Sequence, residues 1–327
     1  MKTKTLICTL VLATGMPVVL GQNVAELREQ AKSLFGPLPD KMPGSENDTA
    51  IRIELGKKLY FDNRLSVNDS QSCNTCHRLD ENRGGVDNEK TSLGAHGKRG
   101  DRNSPTTLNA GFHFAQFWDG REPNLQAQAK GPVLNPVEMA MPDAPAMVAK
   151  LGGLTDYKDL FVKAFPGAKE PINYDNMAEA IAAFERTLIT KDRFDDFMKG
   201  DDKALNAKEL KGLETFMTIG CITCHMGPVI GGNTYQKVGL IHPYENTEDK
   251  GRFVVTKDEA DLYKFKVPSL RNVELTAPYF HDGALKTLPG AVWKMGYMQL
   301  DKQLTPEEVD SIVAFLKTMT DKARVPK

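Results

Sequence analysis

Net charge is almost absent from this 327-residue chain, in which 42 Lys and Arg face 43 Asp and Glu for a formal balance of −1. No basic field gathers a polyanion, so nucleic acid is excluded as a partner. Long apolar runs are equally scarce. The stretch from Leu6 to Leu20 is shorter than the ~20 residues of a membrane span and is broken by Pro17. Behind Lys2 and Lys4 and ahead of Gly21, it reads as an export signal, residues 1–21, whose removal leaves no stable membrane anchor. Cysteine is sparse too. Cys8, one of five, leaves with the signal, and the four that remain are too few for a disulfide-stapled scaffold. With 26% charged and 40% hydrophobic residues, the rest is of the soluble globular class, long enough for two cores.

The remaining cysteines form two copies of one pattern, Cys73-Asn74-Thr75-Cys76-His77 and Cys221-Ile222-Thr223-Cys224-His225. C-x-x-C-H is the attachment signature of c-type haem, in which two thiols form thioethers to the porphyrin edge and the adjacent imidazole becomes the proximal iron ligand. One helical turn brings both sulfurs to the haem rim and aims the next ring at the iron. A zinc site made from both pairs leaves the two histidines unexplained. A thioredoxin-like pair needs a βαβ context that neither neighbourhood supplies. Every mature cysteine is consumed by the motif, which implies two covalently bound haem c groups.

The two motifs stand about one domain length apart, which suggests a duplicated one-haem unit. The fold class expected is all-α, two cytochrome c-like domains of short helices joined by long loops. Asp48 to Tyr60 carries Ile51, Leu55 and Leu59 on one face, and Asn173 to Leu188 carries Met177, Ile181, Phe184 and Leu188. Asn206 with Glu209, and Thr305 with Pro306 and Glu308, mark two further helix starts. The charged stretch Lys191 to Asp202 reads as the interdomain connection. It divides an N-terminal domain, 22–190, from a C-terminal one, 191–327.

The sixth iron position separates a carrier from an enzyme. A carrier keeps both axial sites filled, whereas a peroxidase exposes one iron and places an acid–base group beside it. His96, in a Gly-flanked loop after His77, is either a displaceable ligand of the first haem or a solvated loop histidine. For the second haem the candidates are Met295 and its neighbour Met298.

Beyond the haem motifs, an ordered series of segments runs along the chain. They include Glu54 to Asp62, Asn103-Ser104-Pro105-Thr106, Phe117-Trp118-Asp119-Gly120-Arg121, Val137-Glu138-Met139, Ala182 to Glu185, Gly251-Arg252-Phe253, Val267 to Asn272 and Thr276 to His281. In this order they resemble the bacterial dihaem cytochrome c peroxidases of the periplasm, across nearly the whole mature chain. The resemblance implies a periplasmic enzyme that reduces hydrogen peroxide to water with electrons from a small cytochrome c or cupredoxin, commonly as a homodimer.

The same resemblance assigns roles. The haem on His77 is the peroxidatic centre, gated by His96, and the haem on His225 and Met295 receives electrons. Trp118 matches a tryptophan between the haems, Glu138 the distal acid–base glutamate and Gln128 a glutamine beside it. Asn103, Thr276 and Pro278 match positions that hold calcium at the seam between the domains, and His281 supports that seam or the second haem. In one departure from the family pattern, Ala95 occupies the usual place of the displaceable histidine and His96 comes one residue later. Two alternatives stand beside the peroxidase: a dihaem electron carrier, and a dihaem oxidase that modifies a partner protein. The latter carries tyrosine in place of Met295, and Tyr297 is close by.

Overall fold

A computed structural model of the chain describes residues 23–80 and 83–325. The expected signal, residues 1–21, therefore lies outside the described residues. The helices of the first half are α1 (Val24–Phe35), α2 (Ala50–Phe61), α3 (Cys73–Cys76), α4 (Leu125–Leu134), α5 (Ala144–Gly153), α6 (Thr155–Ala164) and α7 (Tyr174–Glu185). Then come α8 (Arg193–Met198), α9 (Ala207–Thr218), α10 (Phe253–Thr256), α11 (Leu288–Leu300) and α12 (Pro306–Lys317). Two short antiparallel strands, β1 (Tyr235–Lys237) and β2 (Lys264–Lys266), pair within the second half. The helix-dominated class is as the sequence implies.

The helix starts follow the capping chemistry. Asn173 accepts from Asn176 N, and Asn206 and Thr305 each form a reciprocal capping box with the glutamate three residues on. Their apolar stripes face two cores. One gathers Leu55, Leu59, Met177, Ile181 and Phe184, and the other gathers Phe194, Leu213, Phe216, Ile312 and Phe315.

The two halves repeat each other in detail. Gly56 of α2 packs so closely on the Ala180 carbonyl of α7 that no Cβ fits between them, and Gly212 of α9 does the same on Ser311 of α12. Asn109 donates its N–H to the Leu188 carbonyl, and Asn272 donates to Met319. Each of these asparagines is left-handed and opens a short 3-10 turn. Phe117 and Gly120 share positive φ with Phe280 and Gly283, so Trp118 and His281 occupy the same place in matching turns. The duplication read from the two motifs extends to the packing.

Two features of the organisation lie beyond what local sequence patterns carry. The charged connecting stretch Lys191 to Asp202 contains α8, whose Phe194 and Phe197 are fully buried, and its Asp192 and Asp195 pair with the buried Arg271. Its charges hide an apolar face at i and i+3. Moreover, α1 belongs to the second core although it lies within residues 22–190. Leu27, Ala31 and Phe35 point into that core, with Phe35 edge-on to Phe194 at 5.8 Å between ring centroids.

Candidate functional site

In each half the C-x-x-C-H segment is one tight turn. His77 N–H donates to the Cys73 carbonyl at 2.9 Å, and His225 N–H donates to Cys221 at 3.0 Å. Both histidines turn Nδ1 to a backbone carbonyl, His77 to Pro105 at 2.9 Å and His225 to Ile230 at 3.3 Å. A carbonyl only accepts, so Nδ1 holds the proton and Nε2 keeps its lone pair. Burial lowers both rings, His225 to about 4, so they stay neutral at pH 7. The four thiols are free, and burial pushes Cys76 up to about 11 and Cys221 up to about 12. Two free thiols beside one imidazole lone pair are a donor set suited to a c-type haem. Cys73, Cys76 and His77 line one cavity, and Cys221, Cys224 and His225 line another.

The strip Asn103 to Thr106, with Phe117 and Trp118, lines both cavities, so the two share a wall. Trp118 is fixed in it by an indole N–H bond of 2.8 Å to the Asn103 carbonyl, and its ring meets His281 edge to face at 6.4 Å.

The first cavity carries the acid–base candidates. Glu138 and Gln128 line it, and Asn135 donates to Glu138 Oε1 at 2.7 Å. Burial raises the Glu138 carboxyl above its usual range, opposed by the Asn135 hydrogen bond and the Arg121 charge. His96 is exposed at the tip of a turn and is not among the residues lining this cavity. Its loop is docked outward: Ala95 N–H donates to the Glu138 carbonyl at 2.7 Å, and Asn68 donates to the Ala95 carbonyl at 2.7 Å.

The second cavity carries the methionine. Met295 lines it from α11, whereas Met298 is fully buried in the core behind. Tyr297 points elsewhere, stacked between His242 at 4.1 Å and Trp293 at 5.8 Å. Asn103, Thr276 and Pro278 converge on the cavity wall at the seam. Asn103 spends its side-chain N–H groups on the Glu89 and Lys90 carbonyls, which turns Oδ1, a hard donor suited to calcium, away from them.

Motif reading misses a second carboxyl in the first cavity. Glu185 is buried at the end of α7, its Oε2 has no partner, and burial pushes it up to about 8. The signal lies in the repeat: Phe184-Glu185 aligns with Phe315-Leu316, and Leu316 lines the second cavity. A leucine position in one half is a carboxylic acid in the other.

The chain is similar to known proteins. A family model described as di-haem cytochrome c peroxidase matches residues 50–203. The chain is 49% identical to the cytochrome c551 peroxidase of Pseudomonas aeruginosa over 90% of its length and 87% of that protein. It is 46% identical to the cytochrome c551 peroxidase of Nitrosomonas europaea, covering 84% and 81% of the two chains. Among solved structures, a MauG-like protein associated with microbial copper homeostasis superposes with a TM-score of 0.77 at 28% identity, over 88% of this chain and 95% of that one.

Proposed function

The chain belongs to the di-haem cytochrome c peroxidase family, and from that premise we propose that it is a periplasmic enzyme reducing hydrogen peroxide to water at its first cavity. Electrons enter at the second cavity from a small cytochrome c or cupredoxin. The observation that carries this reading is the inequality of two repeated cavities, since Glu138 and Gln128 face only the first and Met295 faces only the second.

Cys73 and Cys76 with His77, and Cys221 and Cys224 with His225, would each hold a covalent haem c, and the first of these would supply the iron for cleavage of the peroxide O–O bond. The protein's own groups do the rest. Glu138, less acidic than an exposed carboxylate, takes a proton from the inner peroxide oxygen and returns it to the outer one as water leaves. Asn135 holds Oε1 and leaves Oε2 for that exchange, with Gln128 beside it. Met295, lining the second cavity, would supply a thioether to the iron of a haem held there, a ligand that would raise its potential. Trp118, in the common wall, is the route between the centres.

His96 serves as the gate of the first cavity. Reaching inward requires the loop to give up the hydrogen bonds of Ala95 to Glu138 and of Asn68 to Ala95. The docked loop would therefore leave a haem in the first cavity accessible while steadying the Glu138 segment. Calcium on Asn103, Thr276 and Pro278 ties this wall to the second half, and the active unit is a homodimer. The reading is tested by haem content and turnover of the holoprotein with a reduced cytochrome c donor. Two haems per chain and peroxide-dependent donor oxidation support it. A loaded chain that turns over no peroxide is the electron carrier instead. The oxidase reading is disfavoured because Tyr297 is engaged in its stack, away from the second cavity.

A further inference from the structure

The wall of the second cavity holds a buried lysine side chain with no acid beside it. Lys266 of β2 is 5% exposed, and its Nζ lies 2.8 Å from His113 Nδ1. Among the described residues no carboxylate reaches it in an ion pair. When Lys266 is protonated it can only donate, and His113 Nδ1 then accepts while Nε2 carries the ring proton. That Nε2 is buried and has no hydrogen-bond partner in the protein. Both residues line the second cavity and neither lines the first. Arg271, another cation of this cavity, is already matched by Asp192 and Asp195. His281 Nε2, in the same cavity, is also buried without a partner.

A buried amine without a counter-charge and an orphaned buried donor are both unfavourable in a folded protein. A native fold retains such a pair where an anion completes it. Burial lowers Lys266 to about 7, a direction that a bound carboxylate reverses. The tetrapyrrole of a haem brings two carboxylate side chains into its pocket.

We propose that Lys266 and His113 anchor a carboxylate side chain of the haem attached at Cys221 and Cys224. The inference rests on the two-haem reading above. His113 comes from the first half and Lys266 from the second, so one carboxylate is clasped by both. The Lys266 backbone N–H donates to the Trp118 carbonyl at 2.7 Å, which fastens the anchor to the shared wall.

The test uses the complete holoprotein as wild type, Lys266→Met and Lys266→Arg, with haem counted per chain and the second haem's midpoint read by spectroelectrochemistry. Loss of a cation beside the haem favours the oxidised form. Lys266→Met is expected to shift that haem's reduction equilibrium about tenfold toward oxidised, 59 mV for one electron. Lys266→Arg is expected to stay within about twofold of wild type. A Met variant with two haems and a wild-type midpoint overturns the anchor. If that variant does not assemble, a crystal structure of the wild-type holoprotein decides. A haem carboxylate oxygen within about 3.2 Å of Lys266 Nζ or His113 Nε2 supports the proposal. Water or protein groups alone at both atoms overturn it. A wild-type chain with fewer than two haems fails the underlying reading, and the anchor with it.

Discussion

Trp118 and His281 stand at the same position of the repeated turn, one from each half, and meet edge to face at 6.4 Å between ring centroids. The seam is thus built by the repeat itself, with an indole on the side of both cavities and an imidazole on its partner turn. His281 also accepts at its carbonyl from the Asn103 N–H, at 2.7 Å, so the two turns share the Asn103 backbone. Trp118→Phe keeps a ring in the wall but loses the indole bond. It is expected to retain both haems and slow electron transfer between them by about tenfold, equivalent to 1.4 kcal/mol. Flash-reduction kinetics monitored at each haem band measure this, and an unchanged rate removes Trp118 from the route.

Glu138→Gln keeps the shape and the Asn135 contact while removing the exchangeable proton. Turnover is expected to fall by about 10²- to 10⁴-fold with both haem spectra intact. Steady-state peroxide kinetics over the acid-to-neutral range check it, and normal turnover rejects the acid–base role.

Met295 and Tyr297 lie two residues apart on α11 but face different surroundings. Met295→Leu is expected to lower the potential of the second haem and make that iron accessible to added ligands. Tyr297→Phe is expected to leave its potential unchanged, since the ring's contacts are the His242 and Trp293 stack. Potentiometric titration of the two variants separates the peroxidase arrangement from one with a tyrosine ligand.

Glu185 gives a pH dependence with a definite sign. The folded carboxyl titrates at about 8, raised by burial from an ordinary 4.5. Between these values the unfolded chain has lost a proton that the folded chain keeps. Its contribution to stability is therefore full below about 4.5 and falls by about 1.4 kcal/mol per pH unit as pH rises toward 8. Glu185→Gln is expected to remove this slope, and Glu185→Leu to raise Tm at pH 7.5. Chemical denaturation of wild type and variants across this range tests it, and parallel curves contradict it.

Much of the fold and of the site is legible in the residues alone, for reasons tied to local chemistry. Capping boxes at Asn206 and Thr305 are short-range hydrogen bonds, and they mark α9 and α12 to within a residue. The haem motifs are likewise local, so both cavities follow from them. The features that local patterns do not carry are long-range. α1 joins the second core across more than 150 residues, and the charged surface of α8 conceals Phe194 and Phe197. Glu185 looks like part of a helical stripe, and only the matching Leu316 shows that a carboxyl there is exceptional. Met295 and Met298 are indistinguishable by spacing, and their different faces on α11 separate them.

The central claim is that duplication built two haem cavities and that one of them alone admits an oxidant. The most direct measurement is a ligand titration of half-reduced holoprotein, with electronic spectra recorded before and after stoichiometric peroxide. The account predicts two haems per chain, with one responding to peroxide and the Met295 centre unchanged in coordination. Response at both irons, or at neither, would contradict it.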